Sequence, residues 1–182
     1  TFAATNGSTT LTVTDGDAAH GLTAGQKINI VSSDGTSKDY FVSDTADGGV
    51  AHLSAVTAGA TLKATGSITA TLTAGATGIA VGFNLSSGTQ NAFLVLLKAA
   101  IEHANGHNGK ITVSAVPTEA DGNQNITVTQ ATTGPEGNTT ITEDLATLSK
   151  TNFTGGGDTV LSADFSSGPN THGFASGQSG NA

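Results

Sequence analysis

Apolar residues recur at every second position in short runs along much of the chain. In Thr9–Thr14 (TTLTVT), Leu11 and Val13 fall on one side and threonines on the other. Period two is the signature of a half-buried strand. Gln26–Ser32 (QKINIVS) alternates through Ile28 and Ile30, and Ser33-Asp34-Gly35-Thr36 reads as a hairpin turn into Lys38–Ser43 (KDYFVS). Weaker strands are predicted over Val50–Val56, Thr61–Thr65 and Ser67–Thr73, and a stronger one over Ile79–Leu85. The stretch Thr57–Gly78 has so few large side chains that strand register there is loosely specified.

One segment changes period. Within Ser87–Ala104, Phe93, Leu94, Leu96, Leu97, Ala100, Ile101 and Ala104 follow helical spacing for about three to four turns. Ser87 or Thr89 can cap its start, and Gly106 is placed to end it in the left-handed conformation. Lys98 and Glu102 fall on the outer face. Beyond the helix, Lys110–Val116 and Gln124–Ala131 read as a strand pair joined by the polar stretch Pro117–Asn123. Gly134–Asn138 (GPEGN) is a tight turn before Thr139–Thr142, and an acidic stretch ends near Leu148. From Ser162 onward the residues are small and polar, with Phe165 and Phe174 the large apolar groups.

These patterns predict a mainly β chain with one amphipathic helix at about 89–104. The expected form is β-sandwich or β-barrel-like, with the helix packed across a sheet. Residues 1–160 form the β-rich domain, with a division near 75 into a β module and a β-helix-β module as the alternative. Residues 161–182 are expected to be a flexible or partner-ordered arm.

Composition sharpens this reading. Only 11% of residues are charged, against about 25% in typical domains, so Ser and Thr, about a quarter of the chain, supply the surface polarity. Fourteen acids against six bases give a net charge of -8, and all six bases are lysines. An arginine-free acidic chain lacks the clustered cations that bind phosphates, so no specific nucleic acid is expected as a partner. The absence of cysteine excludes disulfides, a thiol nucleophile and Cys-ligated zinc. Neither a signal peptide nor a membrane span is predicted, the strongest apolar run being Ala92–Ile101, interrupted by Lys98. Thr1 fits either a processed start or a fragment boundary.

Candidate chemistry is thin. His103 and His107 have the i, i+4 spacing of paired zinc ligands, but with a helix end between them the favoured reading is one exposed and one loop histidine. Asp15 and Asp17, ahead of His20, offer oxygen ligands for calcium without EF-hand spacing, and turn acids are the favoured reading. Glu143-Asp144 invites comparison with a glycosidase pair, yet adjacent carboxylates project in different directions. No Gly-x-Ser-x-Gly elbow occurs, and the Gly-rich runs Gly106–Gly109 and Gly155–Gly157 lack a phosphate-cradling lysine. Asn-x-Ser/Thr at Asn6, Asn84, Asn125, Asn138 and Asn152 matters only along a eukaryotic secretory route. No catalytic residue, cofactor or enzyme activity is expected.

The stretch Asn91–Gly157 resembles a module found in virion structural proteins of tailed phages, especially marine ones. It runs LLKAAIEHANGHNGKITVSAV, then ITVTQATTGPEGNTTITED, then NFTGGGD. The matching positions are Ala99–Ile101 in an "ALKAAI" helix, Thr129-Gln130, Gly134–Ile141 in "GxxGNTTI" and Phe153–Gly156 in "F-x-GG". The resemblance covers about a third of the chain and implies an assembly role in a capsid or tail, with no active site to carry over.

Neutral polar faces with few long charged side chains also suit burial between subunits. The expected function is therefore a non-enzymatic virion structural protein, foremost an exterior capsid decoration or appendage subunit. Its partners would be further copies of itself and other virion proteins such as the major capsid protein, with no membrane. The alternatives are a tail-tube or other tail subunit and, from another class, an extracellular adhesin or surface-matrix module. A carbohydrate-binding domain fits less well, since a chain without Trp and with the single tyrosine Tyr40 has no aromatic platform.

Overall fold

A computed structural model describes residues 4–13, 21–65, 68–73, 75–118, 123–145 and 147–158. The Asp15–Asp17 turn with its candidate calcium ligands and the segment 161–182 lie outside them. Eleven strands and one helix are seen among the described residues: β1 (Asn6–Val13), β2 (Lys27–Val31), β3 (Ser37–Asp44), β4 (Ala55–Thr57), β5 (Thr61–Thr65), β6 (Ile68–Thr71), β7 (Thr77–Phe83), α1 (Gln90–Glu102), β8 (Ile111–Val113), β9 (Gln124–Thr133), β10 (Ile141–Glu143) and β11 (Leu148–Lys150). The chain is mainly β, as expected.

Two sheets stack as a sandwich. One has the order β11-β1-β9-β8 and is antiparallel throughout; the other has the order β10-β2-β3-β7-β4. Both sheets therefore contain strands from both sides of residue 75. The expected β2–β3 hairpin forms around Asp34, whose Oδ1 accepts from the Ser32 hydroxyl at 2.6 Å and the Thr36 amide at 3.1 Å. Strands β3 and β7 pair in parallel, which requires the chain between them to cross over, and β4, β5 and β6 lie on that crossover.

Alternation decides the core. Leu11, Val13, Ile126 and Val128 face Ile28, Ile30, Tyr40, Val42, Ile79 and Val81 across the sandwich. The opposite face of the five-stranded sheet is also covered, by the β5–β6 hairpin, which buries Phe41, Val56, Leu62, Leu72 and Ala80. Burial on both faces explains why β3 and β7 read as near-continuous apolar runs rather than alternating ones.

Helix α1 starts where Thr89 Oγ1 accepts from the Ala92 amide at 3.2 Å. It buries Phe93, Leu94, Leu97, Ala100 and Ile101 against β7 and β3 of one sheet and β8 and β9 of the other, so it closes an open side of the sandwich. Its end differs from the expectation. The helix stops at Glu102, with His103 extended (φ -70°, ψ 158°), and Gly106 is not left-handed; Asn108 (φ 34°) and Gly109 (φ 81°), farther along the loop, are. Glycine is needed at 106 for space, since a Cβ there would lie 2.1 Å from the Ala100 carbonyl oxygen, where the loop folds back on the helix.

The outer face of α1 also protects a sheet edge. Val113 of β8 turns its N–H and C=O away from β9; the amide donates to Glu102 Oε1 at 3.2 Å and the carbonyl accepts from Lys98 Nζ at 2.8 Å. The two side chains are themselves paired at 2.7 Å. Edge strand β10 is closed in the same way: the Ile141 amide donates to Asn152 Oδ1 at 3.1 Å, and its carbonyl accepts from Lys150 Nζ. Unpaired edge groups template association, and polar side chains that satisfy them prevent it.

Leu97 is wholly buried at the meeting of helix and sheets. Leu97→Ala should lower unfolding free energy by about 2–5 kcal/mol, read as a lower urea midpoint at unchanged m-value.

Candidate functional site

Three of the four stretches that carry the phage resemblance, Thr129-Gln130, Gly134–Ile141 and Phe153–Gly156, meet at one joint between the sheets, while Ala99–Ile101 lies apart in α1. Gln130 of β9 is fully buried, and its side chain crosses to the other sheet. Its Oε1 accepts from the Ser33 amide at 2.9 Å, while its Nε2 donates to the Val31 carbonyl at 3.0 Å and to Thr139 Oγ1 at 2.9 Å. A buried amide left unpaired costs about 1–3 kcal/mol, so this arrangement holds β9 at one position over β2.

Beside it, three chain segments pass each other with no room for side chains. A Cβ on Gly7 would lie 2.2 Å from the Gly137 carbonyl oxygen, and one on Gly156 would lie 2.4 Å from that of Gly134. Asn138 lashes the crossing together: its Oδ1 accepts from the Gly156 amide at 2.8 Å and its Nδ2 donates to the Gly156 carbonyl at 3.0 Å. Ser8 and Thr154 exchange backbone hydrogen bonds of 2.9 and 3.1 Å, and Asn6 Nδ2 donates to the Gln130 carbonyl at 2.6 Å. Gly7, Gly137 and Gly156 are thus spacers for close backbone approach, whereas Gly155 faces open space and is set by its φ of 83°.

The two histidines of the zinc-like pair do not share a site. His103 follows the last helical turn, half-buried, and its Nδ1 accepts from the Asn105 amide at 3.2 Å. His107 is a loop histidine, as read, but it is fully buried. Its Nε2–H donates to the Thr36 carbonyl at 3.3 Å, which leaves Nδ1 to accept from the Tyr40 hydroxyl at 2.5 Å. This tautomer follows from Thr36 offering only a carbonyl oxygen. Burial pushes the Tyr40 hydroxyl pKa up and the His107 pKa below its ordinary value. The pair ties the helix-end loop to β3, a role that i, i+4 spacing does not signal. Tyr40, being buried, presents no ring to solvent.

The acid pair divides as expected. Glu143 Oε2 accepts from the Leu145 amide at 2.7 Å, and Asp144 Oδ1 from the Lys27 amide at 2.6 Å. Asp44, nearly fully buried, accepts from the Ala46 amide at 3.1 Å and pairs with Lys63 Nζ at 3.1 Å; Lys63 also reaches Asp47 at 2.9 Å. Those hydrogen bonds hold the Asp47 carboxyl below its usual range and raise the Lys63 pKa. No cluster of three or more metal-ligating side chains occurs among the described residues. A groove of about 380 Å³ runs between Lys38, Thr57, Thr77 and Asn105, with polar walls and no convergent catalytic set.

No protein-family model, curated protein or solved structure matches the chain. Its site is therefore argued from geometry: the joint of Gly7, Gln130, Gly134–Ile141 and Phe153–Gly156 is architectural, and it organises the surfaces around it.

Two measurements probe these contacts. Gly7→Ala should destabilise by about 1–3 kcal/mol through overpacking at the crossing, detected as a lower thermal midpoint. His52, whose pKa is lowered by burial and by the neighbouring His103, and His107 both stay neutral longer in the folded chain than in the unfolded one. Full stability is then present above the unfolded pKa of about 6.5 and is lost as pH falls below it, because the unfolded state binds protons first. Urea midpoints should drop between about pH 8 and pH 5.5, and His107→Asn, weaker at every pH, should show a shallower drop.

Proposed function

We propose that this chain is a non-enzymatic structural subunit of a tailed-phage virion, foremost an exterior capsid decoration or appendage subunit. The observation that carries the reading is the joint. The separated stretches TQ, GPEGNTTI and FTGG, which resemble parts of one phage module, meet at one joint, where the last two cross the Gly7 segment beside Gln130. That these residues share one mechanical task supports reading the resemblance as one of architecture.

The surface supports the same reading. The outer face of the four-stranded sheet shows Thr10, Thr112, Asn125, Thr127 and Ser149, exposed and uncharged. Such a face can be buried between copies without stripping water from ions and without ordering long side chains. On this reading the partners are further copies of the chain and other virion proteins such as the major capsid protein, and the place of action is the particle.

A tail-tube subunit is the second reading, favoured by the helix that flanks the sandwich and by the net charge of -8. A negative lumen lets DNA slide without sticking. Light scattering on the purified protein, with negative-stain images of the same sample, separates the two. A small closed oligomer is expected for a decoration subunit. Rings or tubes would transfer the protein to the tail, and a monomer at high concentration would remove the assembly argument and leave the adhesin reading ahead.

A further inference from the structure

The two main sheets have four edge strands, and their edges are treated differently. On β8 the outward groups of Val113 are satisfied by Lys98 and Glu102; on β10 those of Ile141 are satisfied by Lys150 and Asn152. Strand β11 carries Lys150 itself. Strand β4 has none of these devices. Both the N–H and C=O of Ala80 in β7 point toward the β4 side: the amide donates to the Ser54 carbonyl at 2.8 Å and the carbonyl accepts from the Leu53 amide at 3.0 Å. Alternation then directs Gly78 toward Val56, its register partner, and turns Ala55 and Thr57 outward. The Thr57 carbonyl accepts from the Ala60 amide at 3.0 Å. The N–H and C=O of Ala55 and the N–H of Thr57 have no partner among the described residues, and both side chains are exposed.

Charge says which partner fits this edge. No Asp or Glu occurs between Asp47 and Glu102, a stretch holding β4 to β7 and nearly all of α1. Two copies of a chain with net charge -8 repel over most orientations, and repulsion is least where this stretch faces itself, since Asp39, which shares a groove with Ala55, Val56 and Thr57, is paired with Lys27 at 2.9 Å. We propose that β4 is a self-association edge, at which a second copy adds its own β4 in antiparallel, twofold fashion, with Ala55 opposite Ala55 of that copy. The pairing would join two five-stranded sheets into one continuous sheet, closed by its symmetry. This inference rests on the assembly reading above and specifies its contact.

The test compares wild type, Ala55→Lys and Thr127→Lys by light scattering across a concentration series, with amide hydrogen exchange at Ala55. Thr127 probes the rival contact, since it lies on the exposed, uncharged outer face of the other sheet. A lysine at 55 would place two cations directly opposite each other, and like charges so placed destabilise pairing. Ala55→Lys should raise the concentration for half-association by about tenfold or more, Thr127→Lys should leave it unchanged, and the Ala55 amide of wild type should gain protection on association. Wild type that associates with the Ala55 amide still exchanging freely, or that is dispersed by Thr127→Lys and not by Ala55→Lys, overturns the β4 edge while leaving assembly in place. A wild-type monomer at every concentration overturns both.

Discussion

A buried carboxamide is costly unless its oxygen and nitrogen are both paired, and Gln130 pairs both by reaching the opposite sheet. Its bonds to Val31, Ser33 and Thr139 tie β9 of one sheet to the end of β2 in the other. Apolar packing tolerates sliding, because dispersion and burial are non-directional; a hydrogen-bonded amide does not. Once β9 is held, the turn after it is carried over Gly7, and the return segment 154–157 has a fixed place beside the start of β1. The glycine crossing follows from the amide's position.

Scarce charge is spent on the backbone. Lys98, Glu102 and Lys150 close strand edges, Lys63 neutralises the buried Asp44, and Lys110 binds Asp34 and Thr36 at the β2–β3 turn. With few ionic side chains for solubility, each edge of the sandwich that is left open becomes significant. That is why β4, whose outward Ala55 groups have no partner among the described residues, stands apart from β8 and β10. The proposed structural role would use this economy, with closed edges refusing random pairing and the open one accepting a second copy.

Much of the fold was legible along the chain. Period two marked β1, β2 and β9, and helical spacing together with the Thr89 cap marked α1, because these signals depend on near neighbours alone. The separateness of Glu143 and Asp144 was also readable, since adjacent side chains diverge in any extended segment. The buried state of His107 was not, because its partners Tyr40 and Thr36 lie far away in sequence. Gly106 misled for a related reason: helix-end glycines are usually required for φ, whereas this one is required by the returning loop.

By itself, then, the sequence determined the element types, the apolar faces, the poverty of charge and the turns, all of which arise from interactions within a few residues. Tertiary structure decided the parallel pairing of β3 with β7, the closure of the sandwich by α1, the Gln130 joint and the capping of β8 and β10 by distant lysines. Each of these joins groups separated by many residues, through backbone atoms that every residue possesses. Side-chain identity therefore leaves no local mark of them, and only the folded chain brings them within reach.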